Sequence, residues 1–298
     1  MKLKMVGLGK MGFNLALNMK EHGVEVEGFD VSQEARDKAE QEDIKTYATL
    51  EQIVSKEEKN VIWVMLPAGK IANAVLQELI GYCNSGDIVI DGGNSDYRDS
   101  LKTAVAMEEK GIYFFDIGTS GGVYGARHGA SFMCGGDSDV FKNDLQEMLE
   151  SIATTNGCLY TGKTGSGHYL KMIHNAILYG YMQTLGEGFE LLEKSEFDYD
   201  LENVADSLSK SSVIRGWLLE LAANAFRKDP DLDKIKGVVG ASKTTGWTIE
   251  SACELGVPIP VISTSLMMRL RSKQEDSFSA KVIASLRDEV GGHKAQTK

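Results

Sequence analysis

The stretch that decides the fold is Leu3-Lys-Met-Val-Gly7-Leu8-Gly9-Lys10-Met11-Gly12, answered at Val24-Glu-Val-Glu-Gly-Phe-Asp30 by a second apolar run that ends on a carboxylate. A short apolar strand breaks into glycines, GxGxxG opens an amphipathic helix that runs to about His22, and Asp30 follows eighteen residues after Gly12. Strand, tight turn, helix, strand and acid are the dinucleotide-binding fingerprint in the setting it requires. Gly7, Gly9 and Gly12 let the backbone approach a pyrophosphate. The loop residues Leu8, Lys10 and Met11 bring the unpaired N–H groups of the helix N-terminus to the same place. Asp30 accepts hydrogen bonds from the adenosine ribose hydroxyls and repels a 2′-phosphate, which favours NAD. Arg36 can offset that repulsion, so NADP stays open as a second cofactor.

Outward from this unit, strands and helices alternate. Asn60–Leu66 reads as a buried strand followed by the loop Pro67-Ala68-Gly69. Asp87–Asp91 is another, ending in Gly92-Gly93-Asn94-Ser95, and Ile112–Asp116 leads into Gly118-Thr119-Ser120-Gly121-Gly122. A last strand is expected at Cys158–Thr161. Apolar strands separated by helices indicate a parallel sheet covered on both faces. Ligands bind at the carboxyl ends of such strands, so Leu66, Pro67, Ala68, Asn94 and Ser120 are expected to face one crevice. Beyond Gly167 the strand signals stop, and helical spacing fills 165–194, 200–208, 212–227, 247–255, 260–273 and 277–288. The expected fold is an α/β Rossmann-type doubly wound parallel sheet over residues 1–165. An all-α C-terminal domain over 166–298 follows it.

The long helix that opens the second part carries an unusual face. Lys171, His174 and Asn175 stand at i, i+3 and i+4, so a helix places all three on one side. A lysine, an imidazole and a carboxamide together on a mostly apolar helix are costly to bury without a purpose. The alternative is a lysine whose stem lies along apolar surface while its amine reaches water.

The remaining signals exclude classes. A net charge of −11 argues against nucleic acid as a partner. It also requires an anionic substrate to be held by a few local cations. No apolar run reaches the ~18 residues of a membrane span, and Met1–Gly7 enters a strand without the features of a signal peptide. Cys83, Cys134, Cys158 and Cys253 lie far apart with no CxxC spacing, as expected of reduced thiols in a cytoplasmic protein. No paired-histidine spacing points to a metal, so a metal-free site is expected.

Two motifs fit in letters only. Gly157–Thr164 matches the P-loop pattern GxxxxGK[ST], but its apolar residues lie between the glycines and read as the strand itself. Gly118–Gly122 matches the nucleophile elbow GxSxG. More glycine and then an expected loop at Val123–Gly129 follow where a hydrolase needs a helix. Hydrolysis remains the lesser alternative at Ser120.

Taken together, the chain resembles the 6-phosphogluconate dehydrogenases, within the larger family of β-hydroxyacid dehydrogenases. The resemblance runs from Met5 to His293. It is carried by GLGKMG at 7–12, DGGNSDYRD at 91–99, TSGG at 119–122, KMIHN at 171–175, GWTIE at 246–250 and the tail from Arg287 to His293. The length resembles the short form, in which NAD preference is common. The resemblance implies oxidation at C3 of 6-phosphogluconate and loss of CO2 to give ribulose 5-phosphate, without a metal. It implies Lys171 as the base, with His174, Asn175, Asn94, Ser120, Gly121 and Gly122 holding the sugar acid. Tyr179 and Arg269 match phosphate-side positions. Arg287 and His293 match a tail that reaches into the partner subunit's site, which implies a homodimer or a higher oligomer.

One position departs from the pattern. Where the family places a glutamate just before the tyrosine of this helix, this chain has Leu178. That glutamate protonates the enediol after CO2 leaves, and leucine cannot. Leu178 therefore leaves two other readings open: a dehydrogenase of another β-hydroxyacid, or a non-catalytic NAD-binding protein.

Overall fold

The structure, a computed structural model, describes residues 1–291 together with 294 and 296. The chain divides into two units, Met1–Asn175 and Ala176–Lys298.

The first unit is built on one eight-stranded sheet: β1 (Lys2–Val6), β2 (Glu25–Phe29), β3 (Lys45–Tyr47), β4 (Val61–Val64), β5 (Ile88–Asp91), β6 (Tyr113–Ser120), β7 (Ala130–Gly135) and β8 (Ala153–Gly162). Their order across the sheet is β3-β2-β1-β4-β5-β6-β7-β8. Helices α1 (Lys10–Glu21), α2 (Gln33–Gln41), α3 (Leu50–Ile53), α4 (Lys70–Tyr82), α5 (Tyr97–Glu108), α6 (Gly122–His128), α7 (Ser138–Val140) and α8 (Gln146–Ile152) connect them, with a π-turn at Phe141–Leu145 between the last two.

Two apolar layers explain why the strands read as unbroken hydrophobic runs. Leu3, Met5, Trp63, Ile88, Ile90, Phe115 and Ile117 belong to one core. Val6, Ile62, Val64, Val89 and Phe114, at the alternate positions, belong to the other. Side chains alternate across a strand with period 2, so burial on both faces leaves few polar positions, among them Lys4 and Glu27.

Strands β1 to β6 run parallel, as expected. The sheet is not wholly parallel, however. β7 pairs antiparallel with β6, Thr119 facing Phe132, and β8 then runs parallel to β7. Two strands were not expected from the sequence. β3 is three residues long and only partly buried, too short to register as a pattern. β7 is preceded by Gly129 and ends on Gly135, whose turn character masked its apolar centre. The strand expected at 158–161 is longer and begins at Ala153.

A second correction concerns Gly122–His128, which is a helix and not a loop. Its glycine-rich sequence has low helix propensity, and tertiary contacts hold it. Ala126 is fully buried, and the buried amide of Asn18 on α1 donates to the carbonyls of Ala126 and Ile152, at 3.2 and 3.1 Å.

The second unit takes most of α9 (Ser166–Glu193), which crosses the division, and then α10 (Leu201–Ser211), α11 (Trp217–Lys228), α12 (Lys243–Leu255), α13 (Pro260–Arg271) and α14 (Phe278–Gly291). Phe189 and Phe226 meet with ring centroids 5.1 Å apart over the small residues Ala205 and Ala223. Two boundaries shift for local reasons. α11 begins at Trp217 because Ser212 is extended and Gly216 precedes the helix. α12 begins earlier, at Lys243, because the Ser242 hydroxyl accepts the N–H of Thr244. Among the described residues no helix is long and apolar enough to cross a membrane.

The tightest constraint in the first unit is the β1–α1 turn. A Cβ on Gly12 would lie 1.9 Å from the carbonyl oxygen of Gly7, and one on Gly7, at φ +101°, would lie 2.5 Å from Met65 O. Gly12→Ala is therefore expected to destabilise the protein by about 1–3 kcal/mol through overpacking and to weaken dinucleotide binding. Thermal unfolding and a cofactor titration read the two effects; an unchanged melting temperature would show that the turn relaxes.

Candidate active site

The carboxyl ends of β1, β2, β4, β5 and β6 lie along one edge of the sheet, because these strands are parallel and adjacent. The sequence placed Gly7–Gly12, Asp30, Leu66–Ala68, Asn94 and Ser120 at or just beyond those ends, and each lies there.

The glycine loop is shaped for a dinucleotide. Gly9 is the N-cap of α1, has no side-chain cap, and a Cβ there would meet nothing within 4 Å. The first turn of α1 carries no acidic residue. An uncapped N-terminus with open space in front of it suits a pyrophosphate. Asp30 accepts the Leu8 N–H at 2.7 Å through Oδ2 and the Ser32 N–H at 2.8 Å through Oδ1. Its carboxylate thus ties the loop to the end of β2. Arg36 does not pair with that carboxylate; its guanidinium donates to the Asp30 backbone carbonyl at 2.5 Å and to the Gln33 side chain. The residues present fit a dinucleotide with free ribose hydroxyls.

The polar face of α9 closes on β6. Gly118 stands opposite Lys171 at a distance only glycine permits, since a Cβ there would lie 2.4 Å from the Lys171 Cβ. Two residues on, Ser120 Oγ lies 3.3 Å from His174 Nε2, while His174 Nδ1 lies 3.2 Å from Asn175 Oδ1. A carboxamide oxygen only accepts, so Nδ1 carries the proton and the serine hydroxyl donates to Nε2.

Burial sets the protonation of this cluster. Lys171 is 5% exposed, and loss of solvation alone lowers its amine to about 8. His174 is also lowered, first by burial and then by the Lys171 charge, against the opposing bond to Asn175. A lysine that gives up its proton near neutrality, a neutral imidazole, a hydroxyl and a carboxamide are suited to taking a proton from a bound alcohol.

The other expected site residues fall in the second unit. Arg269 stacks over the Tyr179 ring at 3.6 Å and donates to Gly240 O at 2.7 Å, so these two do come together. Arg287 is exposed on α14, which has no buried residue. His293 lies outside the described residues. Among the described residues no group of three or more His, Cys, Asp or Glu side chains could hold a metal ion.

Three residues of the site were missed from the sequence. Gly118 and Gly167 are required by close approach, a Cβ at Gly167 falling 2.1 Å from Asp116 O. Asp116 is a carboxylate with no exposed surface. The available signal was an acid ending the otherwise apolar run Ile112–Phe115.

The helix at Gly122–His128 removes one reason given against hydrolysis at Ser120. What separates the site from a nucleophile elbow is the backbone: Ser120 ends a regular strand and has no positive φ, whereas Gly121 takes φ +116°.

Comparison with known proteins bears on the same residues. Residues 2–162 match the family described as the NAD binding domain of 6-phosphogluconate dehydrogenase, and 167–296 match the 6-phosphogluconate dehydrogenase C-terminal domain. The chain is similar to a Bacillus subtilis (strain 168) protein, YqeC, that carries the 6-phosphogluconate dehydrogenase name only provisionally. The two are 45% identical over the full length of both. It is 38% identical to an NAD(+)-dependent, decarboxylating 6-phosphogluconate dehydrogenase of Haloferax volcanii, over 100% of this chain and 99% of the other. Among solved structures, the Plasmodium falciparum 6-phosphogluconate dehydrogenase superposes with a TM-score of 0.83 at 27% identity. All of this chain is covered, but only 66% of that one.

The depressed Lys171 amine has an activity-independent consequence. An unfolded lysine holds its proton up to about 10.4, whereas folded Lys171 releases it near 8. Between these values the unfolded state binds more protons, so stability contributed at this position rises with pH. Lys171→Met should flatten that rise in unfolding free energy between pH 8 and 10, and an identical slope in both proteins would show that Lys171 titrates normally.

Proposed function

This chain belongs to the 6-phosphogluconate dehydrogenase family, and from that premise we propose that it is an NAD-preferring, decarboxylating 6-phosphogluconate dehydrogenase producing ribulose 5-phosphate and CO2. The observation that carries the reading is the buried Lys171 amine beside His174, Asn175 and Ser120, on the same sheet edge as the glycine loop. NAD, when bound, accepts the hydride from C3 of the substrate. Neutral Lys171 takes the C3 hydroxyl proton as that hydride leaves. The ammonium so formed polarises the new C3 ketone, which accepts the electron pair of the breaking C1–C2 bond as CO2 departs. His174, Asn175, Asn94 and the Ser120–Gly122 loop orient the sugar acid. Tyr179 and Arg269, stacked on one another, serve its phosphate end. Asp30 accepts the ribose hydroxyls.

A cytoplasmic dimer is part of the proposal. It is supported by the exposed apolar residues of the second unit, such as Phe278, Ile283 and Val290, and by the Arg287–His293 tail as the segment that would reach the partner subunit.

Leu178 favours a second reading. The carbon left by CO2 must be protonated to give the ketose, and Leu178, one turn beyond His174 on α9, cannot do it. A β-hydroxyacid whose oxidation ends without that protonation would need no acid. An NAD-binding protein without turnover is the third possibility. Reduction of NAD and of NADP should be followed with 6-phosphogluconate and with a panel of small β-hydroxyacids. The proposal expects turnover with 6-phosphogluconate and NAD; activity confined to another acid, or tight NAD binding with no turnover, selects the alternatives.

Lys171→Met is expected to abolish hydride transfer while leaving NAD affinity intact, and retained turnover would remove it as the base. Leu178→Glu should raise kcat at least tenfold, since general-acid help is worth about 10²–10⁴; an unchanged rate would mean that protonation is supplied elsewhere or is not limiting. Asp30→Ala should erode the preference for NAD, and a parent enzyme preferring NADP would refute the ribose argument.

A further inference from the structure

Lys171 sits in the second turn of α9. Thr161 of β8 and Ser100 of α5 meet the Ser166 and His168 side chains in the first turn, and its backbone N–H groups are met by a buried carboxylate from the sheet. Asp116 on β6 has no exposed surface, and both its oxygens face the start of the helix. Gly165 N–H donates to Oδ1 and His168 N–H to Oδ2, each at 2.7 Å. A helix N-terminus leaves four N–H groups unpaired and carries about half a positive charge, so one carboxylate here satisfies two donors and opposes the dipole. Burial pushes its carboxyl upward, while the His168 charge and these same N–H bonds pull it down.

The same strand meets the helix twice more at two-residue steps: Gly118 against Lys171 and Ser120 against His174. Two strand residues advance about 6.6 Å and one helical residue about 1.5 Å. A slide of the helix by one residue would therefore break the 3.3 Å Ser120–His174 contact and carry Lys171 off Gly118. Packing of Gly167 against the backbone of Asp116 and Met133 limits approach but not sliding. The two directional bonds to Asp116 limit both.

We propose that Asp116 is a positioning residue: its buried carboxylate fixes the axial register of α9 on β6 and thereby holds Lys171 against Gly118 and His174 against Ser120. This rests on Lys171 being the functional amine, so the first readout is independent of turnover. Asp116→Asn keeps the shape but turns an amide N–H₂ toward one of the two N–H donors. The acylation rate of Lys171 by acetic anhydride, followed across pH by mass spectrometry in folded protein, should show its midpoint moving from about 8 upward by at least one unit. That is about a fivefold loss of neutral amine at pH 8. NAD affinity should be unchanged, and kcat should fall tenfold or more with the KM for NAD unaltered. Asp116→Ser, whose hydroxyl can accept one of the two N–H groups, is expected to fall between and provides the same readouts should the asparagine variant fail to fold.

A lower melting temperature with Lys171 titrating as in the parent and kcat within twofold would overturn the proposal and leave Asp116 a cap. If the parent turns over none of the acids but Lys171 still shifts in the variant, the positioning role stands and the proposed substrate falls.

Discussion

The close approach of α9 to β6 is the constraint on which the site depends. A helix can lie this near a strand only where side chains are missing between them, and Gly118 and Gly167 provide the gap. Burying a helix N-terminus there leaves unpaired N–H groups in an apolar interior, which costs several kcal/mol unless they are met. Asp116 meets two of them. The consequence is chemical as well as structural. Lys171 is carried into a place nearly closed to solvent, and that burial lowers its affinity for a proton.

The glycine loop and the polar face of α9 are built by different means. At the glycine loop, positive φ and steric exclusion shape the backbone, and one acid, Asp30, ties that shape to the next strand. At the α9 face, a helix supplies periodic spacing and a strand supplies matching steps. Both rest on the same sheet, so the parallel order β1-β4-β5-β6 brings their residues to one side. The antiparallel turn into β7 ends the parallel run next to β6, and Gly135 on β7, paired with Asp116, leaves room for the Asp116 carboxylate and the Gly167 backbone.

Leu178 gives the chain its individual character. The family to which it belongs implies an acid at that point, and the rest of the polar face is retained without it. His174 has no carboxylate one turn on to hold its proton. Its ring is instead placed between the Ser120 hydroxyl and the Asn175 amide and lowered by burial and by Lys171. The arrangement keeps the imidazole neutral.

The sequence alone determined what depends on neighbours in the chain: the glycine turn and its acid, the apolar runs of the parallel strands, and Lys171, His174 and Asn175 on one helix face. These follow from local sterics and from periods of two and 3.6 residues, which are written in order along the chain. Tertiary structure decided what depends on partners distant in sequence. The helix at Gly122–His128 exists because Asn18 and the α1 surface hold it against its own propensity. β7 reverses the sheet direction by pairing antiparallel with Thr119 and its neighbours on β6, and β8 then pairs with β7. Asp116 reads in sequence as an acid ending a strand; only the fold places the N-terminus of α9 on its carboxylate, because that contact joins residues about fifty positions apart.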